Sequence, residues 1–224
     1  MNNIKALLLD LDGTLINSEQ AFYKAFEYVL DHYYHVSITK EEYKRYELEQ
    51  NAKLLDFKRQ EYSSIKDISD DEIYALLYEE YMRFFEQIIL EEEAKDNFRL
   101  LKKLKRQGLT LALVTTCRWI YLNKLIETYD LSDTFDFIIG REDVKPILLK
   151  PNPEAYLITL KKLGLNPNEC LSIEDSKRGI DAALAAGIKT IKVDNFTDIK
   201  YKDERTIEEE SANKIIRKLI KSGE

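Results

Sequence analysis

The chain has 224 residues, 33% of them charged, with a formal net charge of −7. That length allows one large domain, or one domain carrying an insertion, and buries a substantial core. The acidic balance argues against nucleic acid as a main partner, because phosphate backbones are bound by basic surfaces, and no apolar stretch approaches the length of a membrane span.

In chain order, Ala6 to Leu9 reads as a short buried strand that runs directly into Asp10-Leu11-Asp12-Gly13-Thr14. The start, Met1 to Lys5, leads straight into that strand, so no signal peptide is expected. Side chains alternate along an extended chain, so the two carboxylates share one side, and Gly13 allows a tight turn behind them. From Ser18 the period becomes helical, with Ala21, Phe22, Ala25, Phe26, Val29, Leu30 and Tyr33 on one face. Thr39 followed by Glu42 predicts a capped helix start, and Asp70 or Asp71 is expected to cap another helix carrying Ile73, Leu77, Tyr81 and Phe85. Residues 16–88 thus read as all helix.

Beyond them strand and helix alternate. A helix with Leu100, Leu101 and Leu104 stops at Gly108, then come a strand over Leu109 to Val114, a helix over Ile120 to Tyr129 and a strand over Phe135 to Ile139. A helix from Pro153 to Leu163 stops at Gly164, a strand runs from Cys170 to Ile173, and a helix over Ile180 to Ala186 stops at Gly187. The strand Ile188 to Val193 and a closing amphipathic helix with Ala212, Ile215, Ile216, Leu219 and Ile220 end the pattern. Glu91 to Glu93 and Glu208 to Glu210 read as solvated helix faces. Such alternation predicts an α/β fold, a doubly wound parallel sheet with helices on both faces and an all-helical insertion over residues 16–88. Residues 1–15 and 89–224 form the core of that plan.

Ligands of such sheets bind beyond the carboxyl ends of the strands. There the chain places Asp10 and Asp12, then Thr115 and Thr116, then a loop leading to Lys150, then Glu174 and Asp175. The helical stretch leaves from the same end and can act as a lid. Four crowded carboxylates cannot all ionise unless a cation joins them. Oxygen-only ligands suit a hard cation, and Mg²⁺ combines a few carboxylates with water and substrate phosphate. With Lys150 and a hydroxyl beside them, these groups meet the needs of phosphoryl transfer, where positioning and charge neutralisation dominate. The chain has two histidines and two cysteines, which excludes a multi-histidine zinc site and disfavours a Ser-His-Asp triad. Cys117 and Cys170, without metal-like spacing, read as reduced thiols of a cytoplasmic protein.

The set resembles the haloacid dehalogenase-like superfamily, in its branch with a helical cap inserted after the first strand. The motifs that carry the likeness are Asp10-Leu11-Asp12-Gly13-Thr14-Leu15, Leu111-Ala112-Leu113-Val114-Thr115, Lys150-Pro151-Asn152-Pro153-Glu154, and Ile173-Glu174-Asp175-Ser176 followed by Gly179 and Ala182-Ala183. The resemblance implies a Rossmann-like core and a cap that chooses the substrate. It implies Asp10 as nucleophile, forming an aspartyl-phosphate, and Asp12 as the acid and base. It further implies Mg²⁺ held by Asp10, the Asp12 carbonyl and Asp175 with help from Glu174, and phosphate held by Thr115, Thr116 and Lys150.

Retention of an acid at Asp12 favours phosphomonoester hydrolysis or phosphomutase chemistry, since the dehalogenases lack it and the ion-pumping ATPases carry Thr there. Ala21, Phe22 and Tyr23 occupy the neighbourhood where β-phosphoglucomutase relatives carry a cap histidine, which counts against the mutase. Tyr43, Tyr46, Asn51, Leu54 and Phe57 resemble the cap of some nucleotide monophosphatases. The leading reading is a phosphatase of a small phosphomonoester. A sugar phosphomutase is the runner-up, and a non-catalytic binding protein on the same fold is the rival of another class. Lys145-Pro146 competes with Lys150-Pro151 for the third motif, whose wider context favours Lys150. Whether the protein is a monomer or a dimer is left open.

Overall fold

The computed structural model describes residues 4–45, 54–194, 196, 204–209 and 211–222. The chain divides into two compact units, one of Met1–Asn17 and Ile89–Glu224 and one of Ser18–Ile88. Among the described residues no helix is long and apolar enough to cross a membrane.

The first unit is built on a six-stranded sheet of β1 (Ala6–Leu9), β2 (Thr110–Val114), β3 (Phe137–Ile139), β4 (Cys170–Glu174), β5 (Lys189–Val193) and β6 (Ile207–Glu209), in the order β3-β2-β1-β4-β5-β6. Every pairing is parallel. β1 lies between β2 and β4, and all four of its residues are fully buried. This explains its unbroken apolar run, because a strand covered on both faces has no solvent side to mark. Ala6, Leu8, Ala112, Val114 and Ile139 share one core cluster with Tyr156 and Leu160 of α7 (Glu154–Leu163) and Ala182 and Ala183 of α8 (Lys177–Ala185). By alternation Leu7, Leu9, Leu111 and Leu113 face the other side. The remaining helices of this unit are α5 (Glu92–Arg106), α6 (Trp119–Tyr129) and α9 (Ala212–Ser222), and α5 packs against both β2 and α9.

Asp136 starts the β2–β3 pairing. Its carboxylate accepts the Leu111 N–H at 2.9 Å, where a ladder carbonyl would otherwise sit, and Lys105 Nζ lies 2.5 Å from it. Burial alone would raise its pKa, but these donors outweigh it and hold the carboxyl below its ordinary value. A depressed carboxyl pKa stabilises the fold above the unfolded value and loses that contribution as pH falls through the folded one. Asp136→Ala is expected to cost about 1 kcal/mol at pH 7, chiefly through the charge-assisted bonds that the ionised carboxylate makes to Lys105 and the Leu111 N–H. Urea midpoints of the two proteins should converge as the pH is lowered through the carboxylate range, and a gap independent of pH would refute this role.

The second unit contains α1 (Ser18–Tyr34), α2 (Lys40–Tyr43), α3 (Leu54–Glu61) and α4 (Asp70–Ile88). α1 and α4 pack through Ala21, Ala25, Val29 and Leu30 against Ile73, Leu77, Tyr81 and Phe85. Phe26 sits among the rings of Phe22, Tyr43 and Tyr74. Thr39 and Glu42 form the reciprocal cap of α2, and the same Glu42 takes the buried Lys58 of α3 at 2.6 Å.

Two expectations need correction. α4 is capped by Ser69, whose hydroxyl accepts the Glu72 N–H, while Asp70 is the first helical residue and binds Arg59 at 2.7 Å. A serine cap leaves the carboxylate free for a cation on α3. Glu208 and Glu209 lie in strand β6, not on a helix face, and Glu209 pairs with Lys218. β6 is an edge strand, whose polar residues conceal it from a search for apolar runs. Of the nucleotidase-like residues, Tyr46 and Asn51 lie outside the described residues, whereas Tyr43 and Leu54 are buried within the helical unit.

Candidate active site

The site is assembled where four strands end. After β1 the backbone folds back on itself. Leu15 and Ile16 donate to the Leu11 carbonyl, Gly13 donates to that of Ile16, and Gly13 holds φ at 78°. A Cβ on Gly13 would stand 2.0 Å from Asp175 Oδ2, so this position needs glycine for space as well as for conformation. The turn leaves Asp10 buried and Asp12 half-buried. At the end of β4, Glu174 and the following Asp175 are buried, and Ser176 caps α8 by accepting the Gly179 N–H.

Lys150 reaches this point along the loop that follows β3. Its ammonium donates to Asp10 Oδ1 at 2.6 Å, Glu174 Oε1 at 2.6 Å and the Val114 carbonyl at 2.8 Å. Three donors therefore meet three acceptors. Lys145, the competing lysine, is exposed. Opposing carboxylates outweigh burial and raise the Lys150 pKa above its ordinary value. Tyr156 of α7 donates its hydroxyl to Glu174 Oε1, and the Lys150 ammonium lies 5.4 Å from the centre of its ring.

Thr115 follows β2 and is buried, with its hydroxyl accepting the Cys117 N–H and donating to Asp12 Oδ2 at 3.3 Å. It is thus committed to protein partners, and Thr116 is the threonine that lines the cavity. The loop after β2 is fastened to the loop after β3. The Arg141 N–H donates to the Cys117 carbonyl, the Trp119 indole N–H to Asp143 Oδ2 at 2.7 Å, and the Gly140 N–H to the same oxygen. The Cys117 thiol is buried, and burial together with the Asp12 and Asp10 charges pushes its pKa well up, so it stays a neutral packing group.

Asp10, Glu174 and Asp175 each present an oxygen within 4.8 Å of the others. Burial is the main cause raising all three carboxyl pKa values, that of Glu174 to about 7. Glu174 Oε2 is buried with no hydrogen-bond partner among the described residues. Three buried carboxylates, two of them bonded to one ammonium, with an oxygen left over, fit a hard divalent cation. The Asp12 side chain lies outside this trio and turns to Thr115 instead. A cavity of about 220 Å³ opens on Asp10, Asp12, Thr116, Lys150, Asp175, Ser176 and Arg178.

Sequence reasoning missed Tyr156 and Arg178. Tyr156 lies two residues beyond the third motif and Arg178 between Ser176 and Gly179 of the fourth, but their partners, a carboxylate on β4 and the Lys150 carbonyl, become visible only in three dimensions.

The chain is similar to several known proteins. A pyrophosphatase, PpaX, of Bacillus pumilus is 31% identical over 193 residues, covering 86% of this chain and 84% of its own. A phosphorylated carbohydrates phosphatase of Thermotoga maritima is 29% identical, covering 84% of each chain. The crystal structure of β-phosphoglucomutase from Clostridium difficile superposes with a TM-score of 0.65 at 24% identity, over 98% of both chains, and so shares the fold. The family model of the haloacid dehalogenase-like hydrolases matches residues 7–193. With that match running from β1 to the end of β5, the chain belongs to the haloacid dehalogenase-like hydrolase family.

Proposed function

We propose that the protein is a Mg²⁺-dependent phosphatase of small phosphomonoesters, working through an aspartyl-phosphate on Asp10. The observation that carries this reading is the Asp10 carboxylate, fixed at a strand end by Lys150 and opening on the cavity with a second acid two residues on. An Asp10 oxygen attacks phosphorus as the bond to the leaving oxygen breaks, and Asp12 gives that oxygen a proton. Water then attacks the same phosphorus, Asp12 takes its proton, and the bond from phosphorus to Asp10 breaks to release phosphate. Lys150 keeps Asp10 oriented, and Thr115 holds the Asp12 carboxylate toward its task. Mg²⁺, held by Asp10, Asp175 and the Asp12 carbonyl with Glu174 beside them, would neutralise phosphoryl charge.

Substrate choice is assigned to the helical unit Ser18–Ile88. The phosphatase and pyrophosphatase names of the relatives support the reaction class. The buried free thiols suit a reducing compartment such as the cytoplasm.

The test is hydrolysis of p-nitrophenyl phosphate with Mg²⁺ and with EDTA. Turnover with metal only is expected. Glucose 1-phosphate with a bisphosphate primer yields free phosphate from a phosphatase and an isomeric sugar phosphate from a mutase. Failure of beryllofluoride to label the protein would leave a binding protein. Asp12→Asn should slow turnover about a hundredfold or more, and a kcat close to wild type would remove Asp12 from its role.

A further inference from the structure

Lys150 and Arg178 are the two cations on the cavity wall among the described residues. The Lys150 ammonium already spends its three donors on Asp10, Glu174 and the Val114 carbonyl. Arg178 is placed differently. Its Nε and Nη2 both donate to the main-chain carbonyl of Lys150, at 3.2 and 2.6 Å, which fixes the plane of the guanidinium while the residue stays exposed. The Nη1 group takes no part in that fork. Arg178 therefore stands at the backbone end of Lys150, while the ammonium at the far end touches Asp10. An anion bound by Arg178 would therefore lie along the cavity wall from a phosphoryl group at Asp10.

From this geometry we propose that Arg178 is a specificity-determining residue that receives a second anionic group of the substrate, a carboxylate or a second phosphate. The proposal rests on the phosphatase reading and narrows its substrate class to phosphomonoesters with two anionic ends. A planar guanidinium already oriented by the protein suits either group, because it presents paired donors without first losing side-chain freedom. A mere tether for one carbonyl needs no charge. Here the charge stands beside an otherwise acidic wall of Asp10, Asp12 and Asp175, where it makes an anion's entry less unfavourable.

Calorimetric titration at saturating Mg²⁺ tests this with three unreactive probes. Methylphosphonate carries the phosphoryl-like end alone, phosphonoacetate adds a carboxylate, and methylenediphosphonate adds a second phosphoryl-like group. In wild type at least one of the two longer probes should bind about tenfold or more tightly than methylphosphonate, the scale of one charge-assisted pair. The favoured probe identifies the second group. In Arg178→Gln that preference should fall to within about threefold, with little change for methylphosphonate. Arg178→Lys, which keeps the charge and loses the fork, should retain part of it and guards against a Gln variant that fails to fold. Equal weakening of all three probes would show that Arg178 acts only through Lys150 and would overturn the proposal. So would a wild type with no preference, or a preference that survives in Arg178→Gln. A wild type that prefers a longer probe but hydrolyses neither p-nitrophenyl phosphate nor a phosphomonoester carrying the favoured second group would sink the phosphatase reading and leave Arg178 as an anion receptor. Hydrolysis without the preference would sink this inference alone.

Discussion

Asp10→Asn is expected to abolish phosphatase turnover, by about 10⁴-fold or more, because no neighbouring group can form the covalent bond in its place. The variant should fold. Burial raises the Asp10 pKa despite Lys150, so the ionised side chain is a burden on the metal-free fold, and a neutral amide of the same shape removes it. Thermal unfolding in EDTA should therefore show Asp10→Asn at least as stable as wild type. With Mg²⁺ the order should reverse, because wild type binds the cation more tightly and gains accordingly. Loss of turnover together with a collapse in EDTA would mark Asp10 as a structural residue. Retained turnover would place the nucleophile elsewhere.

The second large effect is expected at Gly179. In the interior of an exposed helix, Gly→Ala ordinarily stabilises by up to about 1 kcal/mol. Here the sign should invert. A Cβ at Gly179 would lie 1.9 Å from Glu174 Oε2 and 2.3 Å from its Cδ. Glu174 is fully buried, and its other oxygen is held by Lys150 and Tyr156, so it has no free end to swing away. Gly179→Ala should cost about 2 to 3 kcal/mol, as overpacking of a fixed core does. Turnover should fall about a hundredfold, because displacing Glu174 shifts Lys150 and with it Asp10. Shortening the acid restores the space, so Glu174→Asp should recover much of the stability in the Gly179→Ala background. Chemical denaturation of the four proteins of that cycle measures the coupling. A stabilising Gly179→Ala would show that Glu174 has room to move.

The strand and helix succession was legible because each buried strand is a short apolar run and glycines at 108, 164 and 187 end the preceding helices with positive φ. The residues gathered at the strand ends were legible for the same reason. Once β1, β2 and β4 are located, Asp10 and Thr115 follow the first two directly and Glu174 closes the third. Lys150 was harder, since the loop before it carries a decoy Lys-Pro pair, and the helix opened by Pro153 separated the two. What escaped was anything whose partner is remote or belongs to the backbone. Tyr156 acts on Glu174 across the core, and Arg178 acts on a carbonyl 28 positions away. Ser69 was hidden behind two acids equally able to cap a helix, and β6 behind glutamates that an edge strand tolerates.

The central place of β1 has a consequence for how the molecule is made. β1 leaves the ribosome before the other strands of its sheet, yet Ala6 pairs with Thr110 on one side and Cys170 on the other. Between them the whole of Ser18–Ile88 is synthesised as one contiguous stretch with a core of its own. The newborn chain must therefore carry an unpaired, wholly apolar strand until the later partners arrive, while the helical stretch can collapse first through its local contacts. A nascent chain halted shortly after Ile88 should already protect the helices from protease and leave Ala6–Leu9 open to a chaperone.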